Sequence, residues 1–423
     1  MRPASKMLAM LALTLLLAAP PTWATNGDNL IGVGPVSRAM GGVGVAAPQD
    51  AISAVFANPA AMCFGPYCPS SEFNFAGTAF MPDVETKITN SFGTRVAESE
   101  SNVYPIPAIG LSVPIGNGNQ WRFGIAAYGV TGLGVDYRGT SVDDSTAYGP
   151  NAPYTAGEYT NLQIMKFAPA VAWQPLRDWS FGLAVHIDYA SLDLRGGTSP
   201  GYAFGVQPGA IWKATENLSL GLSYISPQSA EHEKVIPAGF GGGDLKLEAP
   251  QQLQFGGAYS FLDGRLLIEA DAKWINWSSA DGYDDFDWND QWIFGIGGQF
   301  EVIDRLFLRA GYNFGSNPVE EHNGWDGAAP GGVPNDIVNV QGTGFPRYYY
   351  ETFRIVGFPA IVEQHFTAGV GYAFTEGFRV DLGFMYAPEK TITERGTDLA
   401  GAPATIESKL SETSLDFGLT WRF

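Results

Sequence analysis

Apolar and polar residues alternate one by one through long stretches of this chain, and that period of two limits its fold more than any other feature. At the C-terminus Thr413, Leu415, Phe417, Leu419, Trp421 and Phe423 share one parity, while Ser414, Asp416, Gly418, Thr420 and Arg422 share the other. Phe181, Leu183, Val185, Ile187 and Tyr189 alternate with Ser180, Gly182, Ala184, His186 and Asp188. Leu266, Ile268, Ala270, Ala272 and Trp274 are interleaved with Glu269, Asp271 and Lys273. Successive side chains of a strand point to opposite faces, so each run is a strand with one greasy face. The runs reach about ten residues, the length a tilted strand needs to cross a bilayer.

Strands are expected near 71–81, 102–113, 120–130, 161–175, 179–190, 203–213 and 217–226. Seven more fall near 245–260, 265–277, 290–302, 305–315, 360–374, 377–388 and 410–423. That makes about fourteen, an even number, as a closed bacterial barrel requires. The connections sort themselves. Short ones at Pro114–Asn119, Leu176–Asp178, Ala214–Glu216, Phe261–Gly264, Ile303-Asp304 and Thr375-Glu376 alternate strictly with long ones at 82–101, 131–160, 191–202, 227–244, 278–289, 316–359 and 389–409. Short periplasmic turns alternating with long external loops belong to a transmembrane barrel, whereas a sandwich or propeller has no reason to sort its loops this way. The fold expected of residues 71–423 is therefore an all-β, antiparallel, transmembrane barrel.

The N-terminus fixes the compartment. Arg2 and Lys6 precede an apolar run from Leu8 to Ala19, and Thr22-Trp23-Ala24 places a small residue at each position a signal peptidase reads. Residues 1–24 thus read as a signal peptide, with a mature chain from Thr25. No later window approaches the roughly 20 unbroken apolar residues of a membrane helix. The formal net charge of −19 argues against nucleic acid, whose phosphates would be repelled. The two cysteines, Cys63 and Cys68, are expected to form a local disulfide in an oxidising compartment, since no His or further Cys lies near to share a metal. No cofactor and no metal are expected.

Residues 25–70 do not alternate. They are small and glycine-rich, with Gly32, Gly34, Gly41, Gly42 and Gly44 followed by Asn58-Pro59-Ala60. Such a segment cannot join the wall without breaking the even count, so it either hangs in the periplasm or folds into the lumen. Small residues suit tight packing, which favours a plug. Gly42-Val43-Gly44 with Ala47 mimics a dinucleotide fingerprint, but no strand precedes it.

On these residues the chain resembles the FadL/TodX family of outer-membrane channels for long-chain fatty acids and aromatic hydrocarbons. The likeness covers nearly all of the mature chain. It is most specific at Ser37-Arg38-Ala39-Met40-Gly41-Gly42 through Asp50 to Asn58-Pro59-Ala60. It continues in Trp179-Ser180-Phe181-Gly182-Leu183 and in Leu308-Arg309-Ala310-Gly311-Tyr312 through Asn317-Pro318-Val319. The resemblance implies a fourteen-stranded barrel with an N-terminal hatch, outer capture of a hydrophobic ligand and sideways release through the wall. It implies three partners: a hydrophobic small molecule, outer-membrane lipid with lipopolysaccharide, and the barrel-assembly machinery. The terminal Leu419, Trp421 and Phe423 resemble the assembly signal such machinery reads.

An apolar molecule gains about 0.8 kcal/mol per CH₂ on leaving water, so an apolar pocket serves it where a water-filled pore offers nothing. Phe345, Arg347, Tyr349, Phe353, Arg354 and Phe358 form a greasy stretch with isolated basic residues, suited either to an amphipathic acid or to an aromatic girdle. The fatty-acid branch of the family holds the carboxylate with basic side chains. The resemblance places Arg195 at one such position, but the other falls in Asp281–Asp290, which has no Lys or Arg. That departure points toward a neutral hydrocarbon.

An exit is legible too. Proline cannot donate to a ladder, yet the second strand carries Pro105 and Pro107, and the fourth carries Pro169. Gly124, Gly129 and Gly132 weaken the third, so a wall gap is expected beside it. Prolines tolerated near strand ends are the alternative, and Pro208 and Pro250 occur in other strands. His186, His232, His322 and His365 are the only histidines, and none sits in a nucleophile motif, so an enzyme is not expected. The remaining functional alternatives are a general porin for polar solutes and an adhesin or structural barrel.

Overall fold

A computed structural model describes residues 26–116, 120–143, 156–236 and 242–423. The expected signal peptide lies outside the described residues. The wall has fourteen strands: β1 (Glu72–Asn90), β2 (Tyr104–Ile115), β3 (Trp121–Asp136), β4 (Tyr159–Leu176), β5 (Trp179–Asp193), β6 (Ser199–Lys213) and β7 (Leu218–Ile225). It continues through β8 (Gln252–Phe261), β9 (Leu266–Ile275), β10 (Gln291–Ile303), β11 (Leu306–Gly315), β12 (Gln364–Thr375), β13 (Phe378–Thr397) and β14 (Pro403–Arg422). Each pairs antiparallel with the next, and β14 returns to β1 from Glu72↔Arg422 to Thr89↔Thr405, closing the barrel.

The alternation has the physical sense the sequence required. On β5, Phe181, Leu183, Val185, Ile187 and Tyr189 are exposed outward, while Ser180, His186 and Asp188 are buried inside. A soluble protein arranged this way would not stay in solution, but lipid reverses the preference. Trp121 stacks on Trp173 and Trp179 on Trp212, with ring centres 5.5 and 5.6 Å apart, near the short turns. Tyr189 meets Tyr202 toward the loop end. From Trp179 to Tyr189, about 3.3 Å per residue at a tilt near 40° gives a greasy band of roughly 25 Å. Leu419 and Trp421 lie on the outward face of β14, Trp421 packs on Phe73 and Phe378, and Phe423 follows the strand as an exposed residue.

Several boundaries differ from expectation: β1 runs on to Asn90 and pairs with Gly93–Glu98 through most of the loop expected at 82–101, β3 runs on to Asp136, and two further differences have a clear cause. The strand expected at 245–260 is broken at Pro250: Gly243–Ala249 leaves the wall to pair with Gln228–Ile236, and β8 begins only at Gln252. A proline has no N–H for the ladder, so the chain turns inward there. The loop expected at 389–409 is mostly strand, because β13 and β14 remain paired as far as Thr397↔Pro403. Beyond the bilayer the faces change character: Ile392, Ala404, Ile406 and Leu410 are buried inward while Thr405, Glu407 and Lys409 point outward to water, so the outward apolar face that marks a membrane strand is lost.

Residues 26–70 contact strands on every side of the wall, which only a segment inside the lumen can do. Helix α1 (Gly34–Ala39) meets β11, β12, β13, β14 and β1, helix α2 (Ala51–Ala57) meets β1 to β4, and a 3-10 turn at Pro59–Cys63 meets β3 to β6. Inward polar side chains of the wall hold its backbone. From β9, Asp271 accepts from the N–H groups of Gly44 and Val45, and Glu269 from those of Ala46 and Ala47. Asn74 accepts from Ala51 N–H at 2.9 Å, and Asp50 caps α2 through Ser53 N–H at 2.8 Å. Asn58 donates to the carbonyls of Val45, Ala210 and Leu222. Gly41 and Gly42 have positive φ, and a Cβ on Gly311 would lie 2.2 Å from Gly41 N, so segment and wall touch backbone to backbone. Pro59 starts the 3-10 turn, and Ala60 C=O accepts from Ser180 Oγ at 2.7 Å.

The expected disulfide is not formed. Cys63 and Cys68 are free thiols, Cys63 buried at the end of the 3-10 turn and Cys68 turned back to the carbonyl of Met62 at 3.1 Å.

Candidate functional site

The long loops enclose an apolar cavity of about 280 Å³ at the outer end of the barrel. Among the described residues its lining comes from five separate stretches: Gly157 to Tyr159 before and at the start of β4, Leu194 and Arg195 after β5, Ile236 and Leu245 of the inturned hairpin, Phe286 between β9 and β10, and Val340, Phe345 and Phe353 between β11 and β12. Phe286 packs on Phe353 with ring centres 5.3 Å apart, and both pack on Phe358 behind them. Arg195, Phe345 and Phe353, expected as ligand contacts from sequence, therefore meet in one cavity. Tyr349 packs edge-on to Tyr348, away from it.

The other two basic candidates stand in an ionic cluster. The first turn of helix α3 (Arg347–Thr352) carries Arg347, whose Nη2 lies 2.5 Å from Glu351. Arg354 is buried and lies 2.8 Å from Glu351 and 3.0 Å from Glu394. His322 joins at 3.0 Å from Glu351. Donor atoms of His322, Glu351 and Glu394 lie within 4.8 Å of one another, a spacing that suits a metal ion. Two guanidinium groups already balance the two carboxylates there, and a dication would have to compete with both. Arg195 is paired as well: its guanidinium lies 3.0 Å from Asp143 and 2.5 Å from Glu158.

The wall's hydrogen-bond ladder is interrupted on one side of β3. The β2–β3 ladder runs from Ile115↔Trp121 to Ala108↔Tyr128 and stops, while Tyr104 to Pro107 still pair with β1 on their other side. Pro105 and Pro107 stand where the ladder fails, and neither can donate to it. Across from them β3 carries an extra residue at Val130, since Gly129 pairs with Met165 and Thr131 with Ile164. Gly132 faces open space. Ile106 Cβ lies 3.8 Å from where a Cβ of Gly129 would stand, so the opening is narrow at its base. Behind the gap lies a cleft of about 40 Å³ lined by Leu30, Ile31, Phe80, Tyr104 and Leu133, among others. Gly124 and Pro169 stand elsewhere. Gly124 keeps its place in the ladder opposite Ser112 and makes room for Met62. Pro169 interrupts the β4–β5 seam, where pairing skips from Phe167↔Ile187 to Ala170↔Ala184.

One short stretch, which the sequence did not single out, links cavity and gap. Gly27 lies against Trp277 and Trp288, where a Cβ would come within 2.4 Å of the Trp277 ring, and Tyr283 Oη donates to the Asp28 carboxylate. Those aromatics belong to the loop that carries Phe286. The next residues lie on the free edge of β3: Leu30 N–H donates to Val130 C=O at 3.1 Å, and Asn29 bridges Thr131. Trp277 and the aromatics at 283, 286 and 288 within the acidic run Asp281–Asp290 were the available signal.

The family described as outer membrane protein transport protein (OMPP1/FadL/TodX) matches residues 29–199 and 195–325. The chain belongs to this family. It is an outer-membrane barrel of a transport family, and solved structures of similar fold agree with the architecture. The Pseudomonas putida toluene transporter TodX is 18% identical with a TM-score of 0.63, covering 93% of this chain and 99% of that one. A Pseudomonas aeruginosa FadL homologue is 15% identical with a TM-score of 0.65, over 94% and 99%. The Ralstonia pickettii toluene transporter TbuX is 18% identical with a TM-score of 0.63, over 93% and 99%. No curated protein is similar to this sequence at a significant level. A family member with these features needs an account of how ligand passes a filled lumen.

Proposed function

We propose that the protein takes up hydrophobic small molecules, capturing them in the outer cavity and releasing them sideways through the gap beside β3. The observation that carries the reading is the joint placement of the two features. An apolar cavity lies under the loops, the β2–β3 ladder fails at Pro105 and Pro107, and Gly27 to Leu30 touch the structures bordering both. A molecule leaving the cavity has to displace that stretch, and the edge it vacates opens toward lipid. A polar-solute pore needs a clear lumen instead, and residues 26–70 cross this one. Toluene transporters and a FadL homologue share the fold, which supports a hydrophobic ligand.

The test is a covalent staple across the gap. The 3.8 Å between Ile106 Cβ and the Cβ position of Gly129 matches the usual Cβ separation of a disulfide, about 3.8 Å. Ile106→Cys with Gly129→Cys, in a Cys63→Ser/Cys68→Ser background, should block naphthalene uptake when oxidised and regain it on reduction. Uptake by the oxidised protein at the rate of the reduced one would exclude this exit.

A further inference from the structure

We infer that Asp143 and Glu158 set the charge of the ligand, by binding Arg195 so that the cavity rejects carboxylates and accepts uncharged molecules. This rests on the cavity being the capture site.

Among the described residues, Arg195 and Glu158 are the ionisable side chains at the lining apart from the Tyr159 phenol. The guanidinium could serve a ligand carboxylate as it now serves Asp143, through two parallel N–H donors. Asp143 already uses that fork: Nη1 reaches Oδ1 at 3.0 Å and Nη2 reaches Oδ2 at 3.3 Å, while Nη1 also reaches Glu158 at 2.5 Å. Asp143 is not free to swing away. It is 2% exposed, its Oδ2 accepts from Gly139 N–H at 2.8 Å, and its own N–H donates to Thr140 C=O. Arg195 is fixed from its own side as well, with φ of 72° in the left-handed region that a residue other than glycine adopts only when its surroundings hold it there. An incoming carboxylate would have to displace Asp143 and Glu158 and then remain beside both. Burial pushes the Glu158 carboxyl up, yet Asp143 alone is enough to balance the guanidinium. The other basic groups of the outer loops described above, Arg347 and Arg354, are committed to Glu351 and Glu394, and Lys246 pairs with Asp281. Size points the same way. A cavity of about 150 Å³ accommodates benzene, so 280 Å³ suits a one- or two-ring molecule.

Naphthalene and 2-naphthoate have the same ring system and differ by one carboxylate. Binding of each is measured by calorimetry on purified protein in detergent, for the natural chain, for Asp143→Asn/Glu158→Gln, and for that variant with Arg195→Gln added. Heat-modifiable migration verifies the barrel in every case. The natural chain should bind naphthalene and hold 2-naphthoate at least tenfold more weakly. Asp143→Asn/Glu158→Gln should tighten 2-naphthoate by about tenfold, the scale of one charge-assisted hydrogen bond, and leave naphthalene within about twofold. Adding Arg195→Gln should abolish the gain. If the double variant fails to fold, Asp143→Asn alone should give a smaller gain of the same sign. Naphthalene bound by both proteins with no gain for 2-naphthoate would overturn this inference and leave the capture site standing. Naphthalene bound by neither would overturn the capture site and this inference together.

Discussion

Arg38 and Asp416 hold the lumenal segment to the wall, and removing either partner should loosen it by an amount the structure sets. Arg38 Nε lies 2.8 Å from Asp416 Oδ1, and the two side chains are 1% and 0% exposed. Losing one member of a buried ion pair costs about 3–5 kcal/mol, because the other is left charged in a dry site. The two losses differ. Arg38→Met leaves Asp416 with a hydrogen bond from Thr78 Oγ1 at 2.5 Å, so its cost belongs near the lower end. Asp416→Asn leaves the guanidinium with Ser414 Oγ at 2.7 Å and Gly32 C=O at 3.3 Å, both neutral, so its cost belongs near the upper end. At 1.4 kcal/mol per factor of ten, these costs raise the unseated population roughly a hundredfold or more. Single-channel recording in planar bilayers reads that population as time spent in a high-conductance state, with deletion of residues 26–70 giving the ceiling. Open time should rank natural chain, Arg38→Met, then Asp416→Asn. Arg38→Met/Asp416→Leu should fall back toward the natural chain, since an apolar replacement of the whole pair removes the uncompensated charge. Equal open times for all four proteins, below the ceiling, would refute the claim that this pair seats the segment.

Two further outcomes follow from the same contacts. Burial raises the Asp28 carboxyl to about 7 despite its bond from Tyr283, so the seated state favours the protonated form. Seating of Gly27–Asp28 should therefore weaken as pH rises from about 4 to about 7, by up to about 1.4 kcal/mol per unit, and level off above. Protease cleavage near residue 28 should follow that curve, and Asp28→Asn should flatten it; a pH-independent natural chain would contradict the assignment. Gly311→Ala places a Cβ 2.2 Å from Gly41 N, where only backbone can yield, so it should raise open time while the barrel stays heat-modifiable. Unchanged conductance would mean that the segment has room the structure does not show.

Fourteen strands, their faces and the sorting of long and short loops were readable from residue order. They depend on local quantities: a side-chain period of two, a bilayer of fixed thickness, and water or lipid on each face. Pro105, Pro107 and Gly129 also stand where the β2–β3 ladder stops, because a missing N–H and a missing Cβ act locally. The errors share a cause. The ends of β13 and β14 were missed because outside the membrane the parity inverts, with Ile392, Ile406 and Leu410 turned inward and polar residues outward. The break at Pro250 was missed because its neighbours continue the period on either side. Only the tertiary structure decided the rest. Arg195 reads in sequence as a basic residue available to an acid, but Asp143 and Glu158 reach it from the loop between two other strands. Phe286 comes out of an acidic run to pack on Phe353, and Asp28 meets Tyr283 across the lumen. Charge pairing and cavity shape depend on distances between residues far apart in the chain, and those distances exist only once the barrel has closed.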